Sequence, residues 1–569
     1  MERTLIMKVL SGCVICIAMM CMVAGCAEDS GKQAKEQKLQ NFIDSYLAKI
    51  KPVEKESSLA YWAAATSGKE EDYAKQSELE LKIRQINSNA KEFAFLKETK
   101  DSGRIKDPLA ARQLQSLYYA YLRNQIDAEL LKKTVDLSTD IQQKFNVFRG
   151  IIKGREVTAN EIDEILKTET NSDERRGAWI ASKQVGPVIV DDIIELVKLR
   201  NEAAGKLGFD NYHTMSLTAS EQDVKELDKL FGELDELTKG PFAEVKAELD
   251  GILAKKCGIE TSELMPWHYH DVFFQETPLV YELNLDTYYK EKDIETLSRK
   301  FFDGIGLNVE SILANSDLYE RDGKNPHAFC TDIDKAGDVR ILCNIVDTER
   351  WMEVTLHELG HAVYARYHDN EVPYLLREPA HAFTTEAIAM FFGRLSRNPA
   401  WMQQMLGLSD DQKAEVATVS GKYARAKQLI FVRWALVMFN FEKALYVDPD
   451  QDLNTLWWDM VEKYQLVKGP PERNEPDWAC KIHFNIAPCY YHNYVLGELF
   501  ASQMHHHIIN SIMKRESDVD VSYVGQKSVG DFMREKVFKA GDVYHWDTMI
   551  ERATGEPLTP KYFAEEFVR

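Results

Sequence analysis

The pentapeptide His357-Glu358-Leu359-Gly360-His361 limits the fold more than any other stretch, because its chemistry requires a helix. Residues four apart on a helix lie one turn above each other on the same face. Two imidazoles at that spacing can grip one metal ion without bending the backbone. The Glu between them projects beside the ion, where it can take a proton from water. Without a metal, two His and a Glu on one buried stripe would each need another partner.

A zinc site built for catalysis keeps three protein ligands and one open position. His357 and His361 are two of them, and the expected cofactor is one Zn2+. Pro373 and Pro379 mark a break after the motif helix. His381-Ala382-Phe383-Thr384-Thr385-Glu386-Ala387-Ile388-Ala389-Met390 then starts a second helix. A Glu in its first turns can face back toward the two His, which makes Glu386 the candidate third ligand. His381, at the helix start, is the rival.

From about residue 38 to 250 the pattern is helical, with Gly and Pro sparse. Leu39, Phe42, Ile43, Tyr46 and Leu47 recur at three and four, as do Ile193, Ile194, Leu196 and Val197. Asn171-Ser172-Asp173 followed by Glu174 predicts a helix start. A β-like stretch is expected only around 326–346, as a hairpin turning at Lys335-Ala336-Gly337-Asp338 just before the motif helix. No linker divides the body.

The net charge of −21 argues against nucleic acid and against an anionic membrane surface. Residues 1–25 read as a leader. Arg3 and Lys8 precede an apolar run that ends in Val23-Ala24-Gly25-Cys26, a pattern that resembles a bacterial lipobox. A lipid on Cys26 would be the sole membrane attachment, and a plain N-terminal membrane anchor is the alternative. Residues 26–40 are polar and predict a flexible tether, with one catalytic domain over 41–569. The expected location is the bacterial cell envelope. Five Cys remain beyond Cys26, which is no disulfide framework. Cys330 and Cys343 flank the predicted hairpin and could bridge in an oxidising compartment.

A second constellation lies at 481–494, Lys-Ile-His-Phe-Asn-Ile-Ala-Pro-Cys-Tyr-Tyr-His-Asn-Tyr. It is either aromatic core packing or a wall of donors opposite the metal.

Together these segments resemble the angiotensin-converting-enzyme family of zinc peptidyl-dipeptidases and, more distantly, the thimet-oligopeptidase group. The family's His-Glu-Met-Gly-His is matched by His357 to His361. Its Phe-His-Glu-Ala-Ile-Gly-Asp is matched by Phe383-Thr384-Thr385-Glu386-Ala387-Ile388. Its Trp-Trp-Asn-Leu-Arg segment is echoed from Trp457, and its Lys-Phe-His…Tyr-x-x-Tyr segment by Lys481-Ile482-His483 and Tyr491 to Tyr494.

The resemblance implies a mainly α fold: a large, helical, two-lobed metallopeptidase with a deep central cleft and a small β-hairpin beside the zinc helix. It implies Glu358 as general base, and His483 and Tyr494 as oxyanion donors. It implies Lys481 and Tyr491 as binders of the substrate's C-terminal carboxylate. His327 and Ala328 would lie on an edge strand pairing with short peptide substrates.

Several positions depart from the family. Tyr490 competes with Tyr491 for the carboxylate role. The family's chloride-holding Arg residues fall on Val461 and Asn493. Its Asp after the third ligand falls on Met390, and its carboxylate-binding Gln falls near Tyr269. The expected activity is release of C-terminal dipeptides from short peptides. The alternatives are an internally cutting oligopeptidase and a peptide-binding lipoprotein with a dead site. Oligomeric state is not readable from the sequence.

Overall fold

The computed structural model describes residues 35–281, 284–517 and 520–568. The expected leader, Cys26 and the tether up to residue 34 lie outside the described residues. Residues 35–40, expected as tether, belong instead to the first helix (Glu2–Ser67). The reason is Leu39, which is fully buried and opens the stripe Leu39, Ile43, Tyr46, Ile50. Among the described residues no helix is long and apolar enough to cross a membrane.

The chain divides into two compact units. One runs to Gln125 and includes Asn370–Leu376. Its helices Glu70–Asn87, Ala90–Asp101 and Pro108–Leu122 follow the first helix, and Leu96, Leu114, Leu117 and Tyr121 complete its core. Asn89 and Asp107 cap two of these helices, the second with Pro108 at its first position. The sequence offers no linker at Gln125 because the division falls in a short turn, directly before Asp127 caps the next helix.

The second unit holds residues 126–369 and 377–569. It is helical apart from two antiparallel hairpins, β1 (Gly150–Ile152) with β2 (Arg155–Val157), and β3 (Phe329–Asp332) with β4 (Val339–Leu342). The first corrects the expectation of a single β-like stretch. Lys153 and Gly154 both adopt positive φ, which closes a two-residue turn inside an otherwise helical region. The second lies where the sequence places it. Its start is corrected: His327 and Ala328 precede β3 rather than lying in it. Asn344 donates to the Asn325 and Pro326 carbonyls, and Asn325 accepts from the His327 amide. Side chains, not a ladder, hold that approach.

Asn171 caps the helix Ser172–Lys183 by accepting from the Asp173 and Glu174 amides, at the predicted start. The long helix Asp410–Val447 runs through the core, with Leu429, Ile430, Trp434 and Phe441 fully buried. Burying each such side chain is worth roughly 1.5–3 kcal/mol.

Candidate metal centre

The pentapeptide lies in the motif helix, Glu349–Arg366, capped by Thr348. The predicted second helix follows as the carboxylate helix, Ala382–Gly393. The two meet at Gly360. A Cβ there would lie 2.7 Å from the Ala389 Cα, so only glycine admits this approach. A third helix, the tyrosine helix (His492–His507), packs on the carboxylate helix at Gly497, where a Cβ would lie 3.4 Å from that of Glu386.

This packing brings one ligand atom each of His357, His361 and Glu386 within 4.8 Å of one another. Glu386 Oε2 lies 3.7 Å from His357 Nε2 and 3.8 Å from His361 Nε2. The imidazole rings stand nearly perpendicular, at 83°. Burial pushes His357 down to about 4 and His361 to about 3, so both present neutral rings with a lone pair. Burial raises Glu358 to about 8, with the Glu386 charge adding to it; burial and Glu498 raise Glu386 to about 7. A divalent cation among these groups favours both charged carboxylates and reverses that shift. Two neutral imidazoles and a carboxylate at this spacing are a donor set that fits zinc.

His381 is not a ligand. Its Nδ1 accepts from the Phe383 amide and its Nε2 lies 2.9 Å from the Ser220 carbonyl, so it caps the helix. His361 is oriented by Thr385, whose Oγ1 lies 2.8 Å from Nδ1. That fixes the proton on Nδ1 when Nε2 binds a metal. The surroundings of one zinc His thus differ from the family's, whose Asp falls on Met390 here: His361 has a hydroxyl partner in Thr385.

β3 and β4 lie beside Glu358: burial and then the Glu358 charge push both the Cys330 and Cys343 thiols up. Both thiols are free. Cys330 sits opposite Ile341, two residues away from Cys343. The outer edge of β4 is covered, since the Cys343 amide donates to Asp317 O at 2.9 Å and the Ile345 amide to Leu318 O at 2.9 Å. Among the described residues no strand pairs with the other edge of β3.

The tyrosines of 490–494 pack together through Tyr494 but take different polar neighbours. Tyr494 and Tyr490 face the metal ligands: burial and the Glu386 charge raise both phenols. Their rings meet edge to face at 5.3 Å. The Tyr491 ring also meets that of Tyr494, at 5.5 Å, and its hydroxyl accepts from Trp434 Nε1 at 2.7 Å. The His483 ring lies 5.3 Å from that of Tyr491, and its Nδ1 is buried without a partner among the described residues. Burial and the neighbouring Lys481 hold His483 down to about 4, so it is neutral.

Lys481 is 7% exposed and sits over the faces of Phe273, Trp434 and Tyr491 at 5.1 to 5.4 Å. Its ammonium donates to Gln275 Oε1 at 2.6 Å. Burial lowers it to about 8, opposed by the charges of Asp271 and Glu276. Gln275 is the residue that sequence reading missed. Tyr269, where an equivalent Gln was sought, instead bonds Lys246 and Asp250 in the core. Gln275 belongs to an irregular loop held from several sides. Asp271 accepts from the Phe273, Gln275 and Glu276 amides, and Lys183 donates to Val272 O at 2.9 Å. Irregular backbone leaves no periodicity to read, so only its Gln-after-aromatic composition was a signal.

His268 and His270 accept backbone amides from Met265 and Leu279, and His505 pairs with Tyr523. These are packing roles.

The family description "Peptidase family M3" matches residues 165–569, and "Angiotensin-converting enzyme" matches residues 33–270. Among known proteins, the chain is 20% identical over 573 residues to an "Inactive angiotensin-converting enzyme-related protein" of Caenorhabditis elegans, covering 92% of this chain and 62% of that one. It is 21% identical over 485 residues to an "Angiotensin-converting enzyme" of Theromyzon tessulatum, covering 79% and 78%. It is 22% identical over 260 residues to "Thermostable carboxypeptidase 1" of Pyrococcus furiosus, covering 42% and 51%. The chain thus spans less than two thirds of the first and third of these relatives.

Proposed function

The chain belongs to Peptidase family M3, and on that premise we propose that it is a zinc-dependent hydrolase that removes dipeptides from the C-termini of short peptides. His357, His361 and Glu386 would hold the zinc. When bound, zinc polarises a carbonyl oxygen and lowers the pKa of water to about 7.

Glu358 takes a proton from the attacking water and passes it to the leaving amine. Glu358 is buried, with 8% of its surface exposed. Tyr494, beside Glu386, donates to the oxyanion as the carbonyl carbon becomes tetrahedral. The neutral His483 ring offers a second donor from the same wall. The edge of β3 away from β4, where no strand pairs among the described residues, would lie against the peptide backbone in the strand-addition mode of recognition.

One observation carries the dipeptide reading: the Lys481 ammonium, caged by three aromatic faces and bonded to Gln275. A buried cation with one neutral partner has capacity left for a carboxylate. Tyr491, its oxygen fixed by Trp434, has its own proton free for the same anion. A cation held at a fixed place beyond the metal selects the peptide's end and sets the length released.

The test is product analysis on one peptide with free and amidated C-termini. The free form should lose its last two residues, and the amide should be cut far more slowly. Equal cleavage of both would favour an internally cutting oligopeptidase. The relative named inactive raises the dead-site alternative, but the intact His357, Glu358, His361 and Glu386 support activity. The leader ending at Cys26 supports a lipid tether in the cell envelope.

A further inference from the structure

The segment that joins His483 to the tyrosine helix is gripped by buried polar groups that the metal chemistry does not use. It makes one short helical turn, His483–Ile486, and then irregular backbone up to Tyr491. Just after His483, Arg200 of the helix Gly186–Lys206 donates to the Phe484 and Asn485 carbonyls, both at 2.7 Å. Asn485 is held again through its side chain, which donates to Ser138 O at 2.9 Å and accepts from the Ser138 hydroxyl at 2.7 Å. Just before Tyr490, the Cys489 amide donates to Glu442 Oε1 at 2.8 Å. Arg200, Glu442, Asn485 and Cys489 are all buried.

Cys489 has φ +56°, in the left-handed region that residues with a side chain seldom enter. Such a conformation persists only where the surroundings impose it. Glu442 supplies that constraint by fixing the amide of the strained residue itself. Tyr490 and the tyrosine helix start directly from this turn, so its geometry sets where the 490–494 rings lie. Burial raises Glu442 to about 7, opposed by the Cys489 amide and the Arg200 charge. The contact therefore needs an oxygen at the right reach more than a full negative charge.

We propose that Arg200 and Glu442 are positioning residues: they fix the two ends of the 484–489 segment and so set the spacing between the oxyanion donors His483 and Tyr494. The inference rests on the donor roles given above. Donors stabilise a developing oxyanion only when they are preset at hydrogen-bond distance from it. The His483 Nδ1 has no partner among the described residues, so the backbone carries the task of placing that ring.

The experiment reads kcat and KM on one free-carboxylate peptide, with zinc content and thermal unfolding beside them. Glu442→Asp keeps the charge but withdraws the oxygen by one carbon. It should lower kcat about tenfold to 100-fold, the cost of misplacing a catalytic group by about 1 Å, with KM and zinc content unchanged. Glu442→Gln keeps the reach without the charge and should return kcat to within about threefold of the unaltered protein, since a neutral acceptor loses little here. Arg200→Lys gives up the fork that spans two carbonyls and should also lower kcat at constant KM. In a Tyr494→Phe background the Glu442→Asp loss should shrink, because the phenol it misplaces is already gone. Unchanged kcat in Glu442→Asp or in Arg200→Lys overturns the proposal. So does a Gln variant no better than Asp, or a loss undiminished in the Tyr494→Phe background. Tyr494→Phe alone leaving kcat unchanged overturns the donor reading instead, a separate result.

Discussion

The metal end and the Lys481 end of the second unit are opposites in charge and in construction. At the metal end, two helices adjacent in sequence meet at a glycine and aim neutral and anionic groups at one point. At the other end a cation is set among aromatic faces, with a Gln from 206 residues earlier in the chain. One end is shaped to hold a cation and the other to hold an anion. On the proposed function a peptide substrate would bridge them, its polarised carbonyl at one and its carboxylate at the other. On that reading cleavage and length selection are built from separate parts, so each should be removable without the other.

The largest separation is expected from Glu358→Gln. Turnover should fall by about 10²–10⁴-fold, the usual worth of a positioned proton carrier. Zinc content, read by elemental analysis, should stay unchanged. Retained turnover would remove Glu358 from the mechanism. Next is Lys481→Met. Removing one partner of a buried charge contact costs roughly 2–5 kcal/mol, on the order of 30-fold or more in kcat/KM for free-carboxylate peptides. The amidated peptide should not respond. A loss shared by both peptides would mean a structural role for Lys481.

Thr385→Val sharpens the metal end alone. It removes the acceptor on His361 Nδ1, and zinc affinity measured by chelator competition should drop about 10–100-fold. Thr385→Ser should restore it, since it restores the hydroxyl; a failed rescue would assign the threonine to packing.

The smallest effect is a pH limb. Burial holds Lys481 down to about 8, so its ammonium is present below that pH and lost as pH rises through it. For free-carboxylate peptides kcat/KM should fall by roughly fivefold to tenfold between pH 7 and 9, since this ratio reports the free enzyme's ionisation. The difference from the amidated peptide over that range isolates Lys481.

The two ends also differ in how readily the sequence discloses them. His357, Glu358 and His361 share one helical face, and Glu386 follows a proline break into the next helix, so local spacing suffices. The Leu39–Ile43–Tyr46 stripe is legible for the same reason. Gln275 is not, because it sits in a non-repeating loop and meets Lys481 only through tertiary folding. The β1–β2 hairpin is three residues per strand, too short for alternation to emerge from its helical surroundings. Thr385 was obscured differently. Met390 marks where the family's Asp is absent, but no spacing signal points to Thr385 as the hydroxyl beside His361.

Anomalous scattering at the zinc absorption edge, recorded from crystals of the purified protein, tests the central claim most directly. One peak is expected, within bonding distance of His357 Nε2, His361 Nε2 and a Glu386 carboxylate oxygen. A peak with other ligands, or a fully active protein that gives no peak, would contradict the account.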